Sequence, residues 1–254
     1  MRDPQRLVTK TGRLVAYHHS AGQGPGVVFL GGFTSDMTGS KASYLEEWSK
    51  NAGRAFLRFD YSGHGASSGH LHDGCISDWA EDAAWVISAV TTGPQILVGS
   101  SMGGWISLLL ARQGIIPMAG FIGVAAAPDF IDGMRAAMPP AEALRLAQTG
   151  RGFTPDSGPT GVVEVWQRLL DDAQAMIFPR ALALRCPVRL LHGTADADVP
   201  VTTALRLLHH CTGPDIRLTL VKDADHRFST PDCLALIGAA IADVTERAQA
   251  LTPL

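Results

Sequence analysis

The sequence has few of the features that mark disulfide-bonded, metal-binding or membrane-embedded proteins. Its 254 residues include only 4 cysteines, at scattered positions, and this spacing favours buried free thiols over a disulfide framework or a zinc finger. No apolar run has the length of a membrane span. The polar residues 1–6 do not lead into a signal-peptide core. We therefore expect a protein of the cytoplasm.

An excess of charge of one sign is also missing. Lys and Arg number 21 against 24 Asp and Glu, a formal net charge of −3, and nucleic-acid-binding surfaces are usually strongly basic. We expect no nucleic acid among the partners. Hydrophobic residues make up 46% of the chain, which is enough for a large core. The composition does not shift along the chain, so residues 1–254 are predicted to form a single domain.

Short apolar runs alternate with helical patterns along most of the chain. Such alternation predicts an α/β fold with a mostly parallel sheet and helices on both faces. A hairpin turn at Gly12 indicates that the first two strands are antiparallel. Strands are predicted within 7–19 and over 27–30, 55–60, 96–98, 121–124, 188–191 and 216–221, and helices over 41–52, from 77, over 103–113, over 201–210 and from about 231.

The alternation stops between Pro128 and about Pro179. Apolar residues there suggest two or three short helices, interrupted by the Gly- and Pro-rich segment 150–159. We interpret residues 129–180 as a helical lid inserted between two strands. Loops and insertions over a sheet often carry binding residues.

The pattern G-x-S-x-G occurs twice, at Gly99–Gly103 and at Gly65–Gly69. It marks a nucleophile only where a strand leads into the turn and a helix follows directly. Ser101 has this context, whereas Ser67 is followed by a loop. We therefore predict Ser101 as the nucleophile.

A serine nucleophile needs a histidine base and an acid that orients the base. In this type of fold the acid and then the histidine follow the serine along the chain. The loop after strand 188–191 offers Asp196 and Asp198, and the spacing alone leaves both open. His226 follows the last strand, downstream of both aspartates, and is predicted to be the base.

An ester hydrolase also needs two amide donors for the oxyanion. One comes from the residue after the nucleophile and one from the loop after an early strand. These are Met102 and Phe33, although Gly31 and Gly32 also fit a simple chain turn. The segment 70–73 holds two histidines and an aspartate, but no further ligand cluster supports a metal there, and a solvated loop is the favoured interpretation. No metal and no cofactor are expected.

Several of these motifs together resemble the α/β-hydrolase superfamily along almost the whole chain. More narrowly, four short segments resemble its branch of mitochondrial palmitoyl-protein thioesterases and acyl-glucuronide esterases, although residues 1–6 do not read as a mitochondrial presequence. The resemblance implies an eight-stranded sheet, the triad Ser101, Asp196 and His226, and the oxyanion amides of Phe33 and Met102. The superfamily motifs are 31–33, 58–65, 99–104, 192–196 and 225–226, and the narrower segments are 36–42, 94–101, 189–193 and 225–227.

We therefore expect a serine esterase or thioesterase that forms an acyl-enzyme on Ser101. Its substrate would be a small-molecule ester or thioester, or an acylated protein. Peptidase, carbon–carbon hydrolase and perhydrolase chemistry remain alternatives, as does a non-catalytic ligand-binding protein of the same fold. The apolar lid suits a fatty-acyl chain, and a carboxylate such as glucuronate would meet one of four lid arginines, namely Arg135, Arg145, Arg151 and Arg168.

Overall fold

The computed structural model describes residues 3–156, 160–172 and 175–251, and a large sheet organises them. The strands are β1 (Gln5–Val8), β2 (Leu14–Ser20), β3 (Gln23–Leu30), β4 (Arg54–Phe59), β5 (Gln95–Ser100), β6 (Met118–Val124), β7 (Arg151–Pro155), β8 (Val162–Trp166), β9 (Leu182–Ala183), β10 (Val188–Gly193), β11 (Cys211–Thr212) and β12 (Ile216–Val221). The α-helices are α1 (Ser40–Asn51), α2 (Ile76–Val90), α3 (Met102–Gln113), α4 (Phe130–Ala137), α5 (Pro140–Thr149), α6 (Gln167–Asp171), α7 (Val201–His210) and α8 (Pro231–Leu251).

The main sheet has eight strands in the order β1-β2-β4-β3-β5-β6-β10-β12. Strand β2 runs antiparallel to both of its neighbours, and the pairs from β4 to β12 are parallel. The predicted α/β fold with a mostly parallel eight-stranded sheet is therefore confirmed. None of the described helices combines the length and hydrophobicity needed to cross a membrane.

Strand β5 is buried along its whole length because helices cover both faces of the sheet. Successive side chains of a strand point to opposite faces. Leu97 accordingly joins a core cluster with Trp79 of α2, while Ile96 and Val98 join a second cluster with Ile241 of α8. This explains why the strand reads as a continuous apolar run rather than an alternating one.

The insertion between β6 and β10 is only partly helical. Helices α4, α5 and α6 agree with the predicted short helices, but β7 and β8 form an antiparallel hairpin that was not predicted. The β-branched residues Val162, Val163 and Val165 favour an extended backbone, and Thr154 and Val165 are buried. Residues 157–159, the end of the Gly- and Pro-rich segment, lie outside the described residues.

Candidate active site

Ser101 lies at the sharp turn between β5 and α3. Its backbone has φ 52° and ψ −117°, a region that costs a non-glycine residue about 1–3 kcal/mol. Four backbone hydrogen bonds hold this geometry. The Ser101 amide donates to the Val124 carbonyl at 2.9 Å, and the Ser101 carbonyl accepts from the amides of Gly104 at 2.9 Å, Ala127 at 3.1 Å and Trp105 at 3.4 Å. The end of β6 thus fixes the strained turn from the side.

Two glycines make the turn sterically feasible. A Cβ atom at Gly99 would lie 2.4 Å from the Gly103 carbonyl oxygen, and one at Gly103 would lie 2.0 Å from the carbonyl oxygen of Leu30. Both obstacles are backbone atoms, which cannot rotate away. The glycines of the motif are therefore required by the close approach of β3, β5 and α3.

Gly103→Ala is expected to lower the free energy of unfolding by about 2–4 kcal/mol, since overpacking against backbone displaces α3 or β3. Chemical denaturation monitored by circular dichroism measures this change. Gly133→Ala is the matched control, because an added Cβ on the exposed Gly133 of α4 meets nothing within 4 Å. The control should gain up to about 1 kcal/mol from helix propensity, and equal stabilities of the two variants would contradict the steric argument.

The structure brings together the three residues predicted to form the triad. The Nδ1 atom of His226 lies 2.8 Å from Oδ2 of Asp196, and its Nε2 atom lies 3.1 Å from Oγ of Ser101. An ionised Asp196 accepts a hydrogen bond from the Nδ1–H group of His226, which leaves the Nε2 lone pair free to accept the hydroxyl proton of Ser101. The arrangement can therefore abstract a proton from serine.

The side chain of Asp196 is fully buried, with 0% of it exposed. Burial acts to raise the pKa of Asp196, but the hydrogen bonds from His226 and from the Val199 amide outweigh it, so the pKa lies below its ordinary value. The Oδ1 atom accepts from the amides of Asp198 at 3.0 Å and Val199 at 2.8 Å. Asp196 is thus kept ionised and oriented toward His226.

Asp198, the alternative acid, lies in the same loop and is exposed. One ligand atom each from Asp196, Asp198 and His226 falls within 4.8 Å of the others, a spacing that a metal ion would also accept. Both His226 nitrogens already face Asp196 and Ser101, so an ion bound there would compete with those contacts. The expectation of a metal-free site stays a prediction.

Two further contacts position the loops that carry the acid and the base. The Nε2 atom of the buried His192 donates to the Val199 carbonyl at 2.9 Å, which closes the Asp196 loop on itself. The Asp223 amide donates to Oγ1 of Thr194 at 2.9 Å, which ties this loop to the one before His226. The two loops are therefore held together independently of the triad.

The predicted oxyanion donors lie beside Ser101. A Cβ atom on Gly32 would lie 3.4 Å from Cβ of Ser101, so the loop after β3 passes directly along the nucleophile. Within the described chain, the amides of Phe33 and Met102 donate no hydrogen bond to another residue. Their assignment as the donors to a substrate oxyanion stays a prediction.

Ser67, in the second G-x-S-x-G, is engaged in structural hydrogen bonds. Its hydroxyl donates to the Asp60 carbonyl at 2.6 Å and accepts from the Ala16 amide at 2.8 Å. These contacts join the end of β4 to β2. The structure thus gives Ser67 a role in holding the sheet edge.

Aromatic side chains form an apolar wall next to the oxyanion loop. The Phe33 ring lies 5.9 Å from the ring of Trp79, 5.7 Å from that of Phe130 and 5.9 Å from that of Trp166. Phe130 and Trp166 belong to the insertion, so the insertion packs over the residue that offers one oxyanion amide. Trp79 and Trp166 are buried, so the apolar surface left for a substrate group is that of the half-buried Phe33 and Phe130.

The four lid arginines that the sequence offers for a substrate carboxylate all have partners within the protein. An arginine already paired is less available to a substrate carboxylate, because the existing pair must first be broken. Arg135 donates to the Leu170 carbonyl, Arg145 lies 3.5 Å from Glu142 and over the Phe153 ring, Arg151 lies 3.6 Å from Glu164, and Arg168 lies 2.6 Å from Asp78.

Comparisons with known proteins support this description. A family model described as Alpha/beta hydrolase family matches residues 27–235. The mouse protein named palmitoyl-protein thioesterase ABHD10, mitochondrial, is 33% identical over 241 residues, which cover 94% of this chain and 81% of the mouse protein. This finding confirms the narrower resemblance drawn from the sequence.

Solved structures agree with the sequence relatives. A hydrolase from Agrobacterium vitis S4 is 34% identical with a TM-score of 0.90, covering 96% of this chain and 98% of that one. The structure of mouse alpha/beta hydrolase domain-containing protein 10 is 32% identical with a TM-score of 0.88, covering 96% and 99%. The likeness therefore extends over nearly the whole of each chain.

These relatives correct one prediction and support another. The predicted cytoplasmic location is wrong, since the curated mouse, rat, bovine and human relatives are all named as mitochondrial proteins. Unpaired cysteines separate oxidising from reducing compartments but do not tell one reducing compartment from another. The predicted enzyme class, an esterase or thioesterase, is confirmed. The chain belongs to the alpha/beta hydrolase family.

Proposed function

We propose that the chain is a serine thioesterase and esterase that cleaves fatty-acyl thioesters through an acyl-enzyme on Ser101. The observation that carries this proposal is the continuous hydrogen-bonded chain from Ser101 through His226 to the buried Asp196. Relatives named palmitoyl-protein thioesterase support an acyl substrate. Residues 1–254 act as one domain, with 129–180 as its lid.

In the first half of the reaction, Oγ of Ser101 attacks the acyl carbonyl carbon while Nε2 of His226 takes the hydroxyl proton. The carbonyl oxygen becomes an oxyanion, which accepts hydrogen bonds from the amides of Phe33 and Met102. The tetrahedral intermediate then expels the thiol, which receives the proton from His226. Asp196 stabilises the imidazolium formed in between.

In the second half, water replaces the departed thiol. His226 takes a proton from the water, the hydroxide adds to the acyl carbon, and the same two amides stabilise the second oxyanion. The intermediate collapses to a free carboxylic acid, and the proton returns to Ser101. Atoms balance as thioester plus water giving acid plus thiol.

The surroundings of Ser101 favour an apolar substrate over one that carries a carboxylate. Phe33 and Phe130 are half-buried and offer apolar surface, whereas Arg151 and Arg168 are paired with acidic residues of the protein. Glucuronate esters, which carry a carboxylate, would have to displace one of those pairs. A fatty-acyl thioester displaces no such pair. Compared with a peptide substrate, its thiolate also leaves more readily than an amine.

A fluorophosphonate probe combined with peptide mass spectrometry tests the proposal. We expect the wild-type protein to be labelled on Ser101, and Ser67→Ala, the matched serine variant, to be labelled as well. In a panel of acyl thioesters, p-nitrophenyl esters and acyl glucuronides, long-chain thioesters should give the highest kcat/KM. An adduct on another residue, or no labelling of folded wild-type protein, would contradict the serine mechanism.

A further inference from the structure

The segment 36–42 resembles the thioesterase branch of the family, yet it contains none of the residues that take part in the proposed reaction. In the structure its turn is fixed to the end of β4. The Met37 amide donates to Oδ1 of Asp60 at 2.6 Å, and Nη1 of Arg58 donates to the Met37 carbonyl at 2.6 Å. Helix α1 starts directly after this turn, so its first residues have a defined position relative to the sheet.

Lys41 lies in the first turn of α1, where a cation is unfavourable. The positive end of the helix dipole disfavours it, and this turn contains no acidic residue. The side chain is half-buried, and its Nζ atom donates to the Arg227 carbonyl and lies 3.5 Å from Oγ of Ser229. The unfavourable interaction between the ammonium group and the helix dipole must therefore be offset by these contacts with the loop 225–229.

The loop 225–229 carries His226 and is anchored to the core by the buried ring of Phe228. The Phe228 ring is 1% exposed, and its amide donates to the carbonyl of Asp225 at 3.2 Å and to Oδ1 of Asp225 at 3.1 Å. These contacts hold the two ends of the turn. Lys41 of α1 contacts the carbonyl of Arg227, the residue between His226 and Phe228. This contact links the middle of the turn to α1.

We propose that Lys41 is a positioning residue for His226: its ammonium group binds the Arg227 carbonyl and so aims the imidazole of His226 at Ser101. This inference rests on the proposed function of Ser101 and His226. Loss of the contact lets the loop rotate, and a small displacement of a general base from its attacking geometry costs about 10- to 100-fold in rate.

The charge of Lys41 makes this support sensitive to pH. Burial lowers the pKa of Lys41 to about 8, an effect that Asp225 opposes and Arg227 reinforces, while Cys233 of α8 acts in the same direction as Asp225. Above this pH the amine becomes neutral and loses its attraction to the Arg227 carbonyl and to Asp225. Reactivity of Ser101 should therefore decline as the pH rises through about 8.

The test compares the rate of fluorophosphonate labelling between pH 6 and pH 10 in wild type, Lys41→Met, Lys41→Arg and Lys50→Met. Lys50 is exposed in the last turn of the same helix and is the control. We expect Lys41→Met to react about 10- to 100-fold more slowly with an unchanged thermal transition. Lys41→Arg should keep the rate and lose the alkaline decline, and Lys50→Met should match wild type.

Proton NMR of the His226 Nδ1–H hydrogen bonded to Asp196 separates the two proposals. We expect this resonance to broaden or exchange faster in Lys41→Met than in wild type and Lys50→Met. Absence of Ser101 labelling in wild type would overturn the serine mechanism, yet the resonance would still decide the role of Lys41. A Lys41→Met protein with the wild-type labelling rate, pH profile and Nδ1–H resonance would overturn the positioning role.

Discussion

Replacing Ser101 with alanine is expected to lower kcat for acyl thioesters by about 10⁶-fold. The reason is that, among the residues that the structure describes, no other hydroxyl is hydrogen bonded to Nε2 of His226, so the acyl-enzyme cannot form. Residual turnover would come from the oxyanion amides and from binding alone, about 10³- to 10⁴-fold over water. Single-turnover kinetics with a chromogenic thioester, under conditions of excess enzyme, measure this difference.

The fold should survive this substitution. Alanine at position 101 adopts the same strained φ of 52° without adding atoms, and the backbone hydrogen bonds to Val124 and Ala127 do not involve the hydroxyl. The thermal transition is thus expected to stay close to that of wild type. Ser67→Ala should give the opposite result, with near-normal kcat and a stability lowered by about 1–3 kcal/mol.

A double variant tests whether Ser101 and His226 act as a unit. Residues of one catalytic relay are strongly non-additive, because removing the first member already abolishes the step that the second assists. Ser101→Ala combined with His226→Ala should therefore be about as slow as Ser101→Ala alone. If the fold-losses in kcat of the two single variants multiply in the double variant, or if Ser101→Ala lowers kcat by less than about 100-fold, the result would argue against a serine nucleophile.

The sequence was sufficient to predict the elements that are determined locally. A strand buried on both faces reads as a short apolar run, and β5 and β10 are buried along their length. The turn at Ser101 could also be predicted, because the glycines at 99 and 103 are needed by close backbone approach. Chain order then predicted His226 as the base, since the carboxyl ends of parallel strands lie at one edge of the sheet.

Features that depend on tertiary contacts were harder to predict. The hairpin of β7 and β8 pairs Arg151 with Trp166 across a segment rich in Gly and Pro, and strand preference depends strongly on such packing. Lys41 contacts a carbonyl 186 positions further along the chain. Its one local signal was the unfavourable charge in the first turn of a helix, which indicates that a distant contact offsets the cost.

The choice between Asp196 and Asp198 could not be made from spacing, and the structure gives it a quantitative test. Asp196→Asn is expected to lower kcat by about 10⁴-fold, because an amide does not hold His226 in the tautomer that accepts the serine proton. The Oδ1 contacts with the loop amides can persist in this variant, so the loop should keep its shape. Asp198→Asn, a change of the same charge on an exposed residue, should cost no more than about fivefold.

The pH dependence of stability gives a second, independent measure of the same residue. The pKa of Asp196 is depressed in the folded protein, so its ionised form contributes stability above the ordinary aspartate pKa of about 4, and this contribution is lost as the pH falls through the folded pKa. The difference in unfolding free energy between wild type and Asp196→Asn should therefore narrow below about pH 4. Denaturation at pH 7 and at acid pH measures this narrowing. If Asp198→Asn instead shows the large loss of kcat and Asp196→Asn the small one, the orienting acid is Asp198.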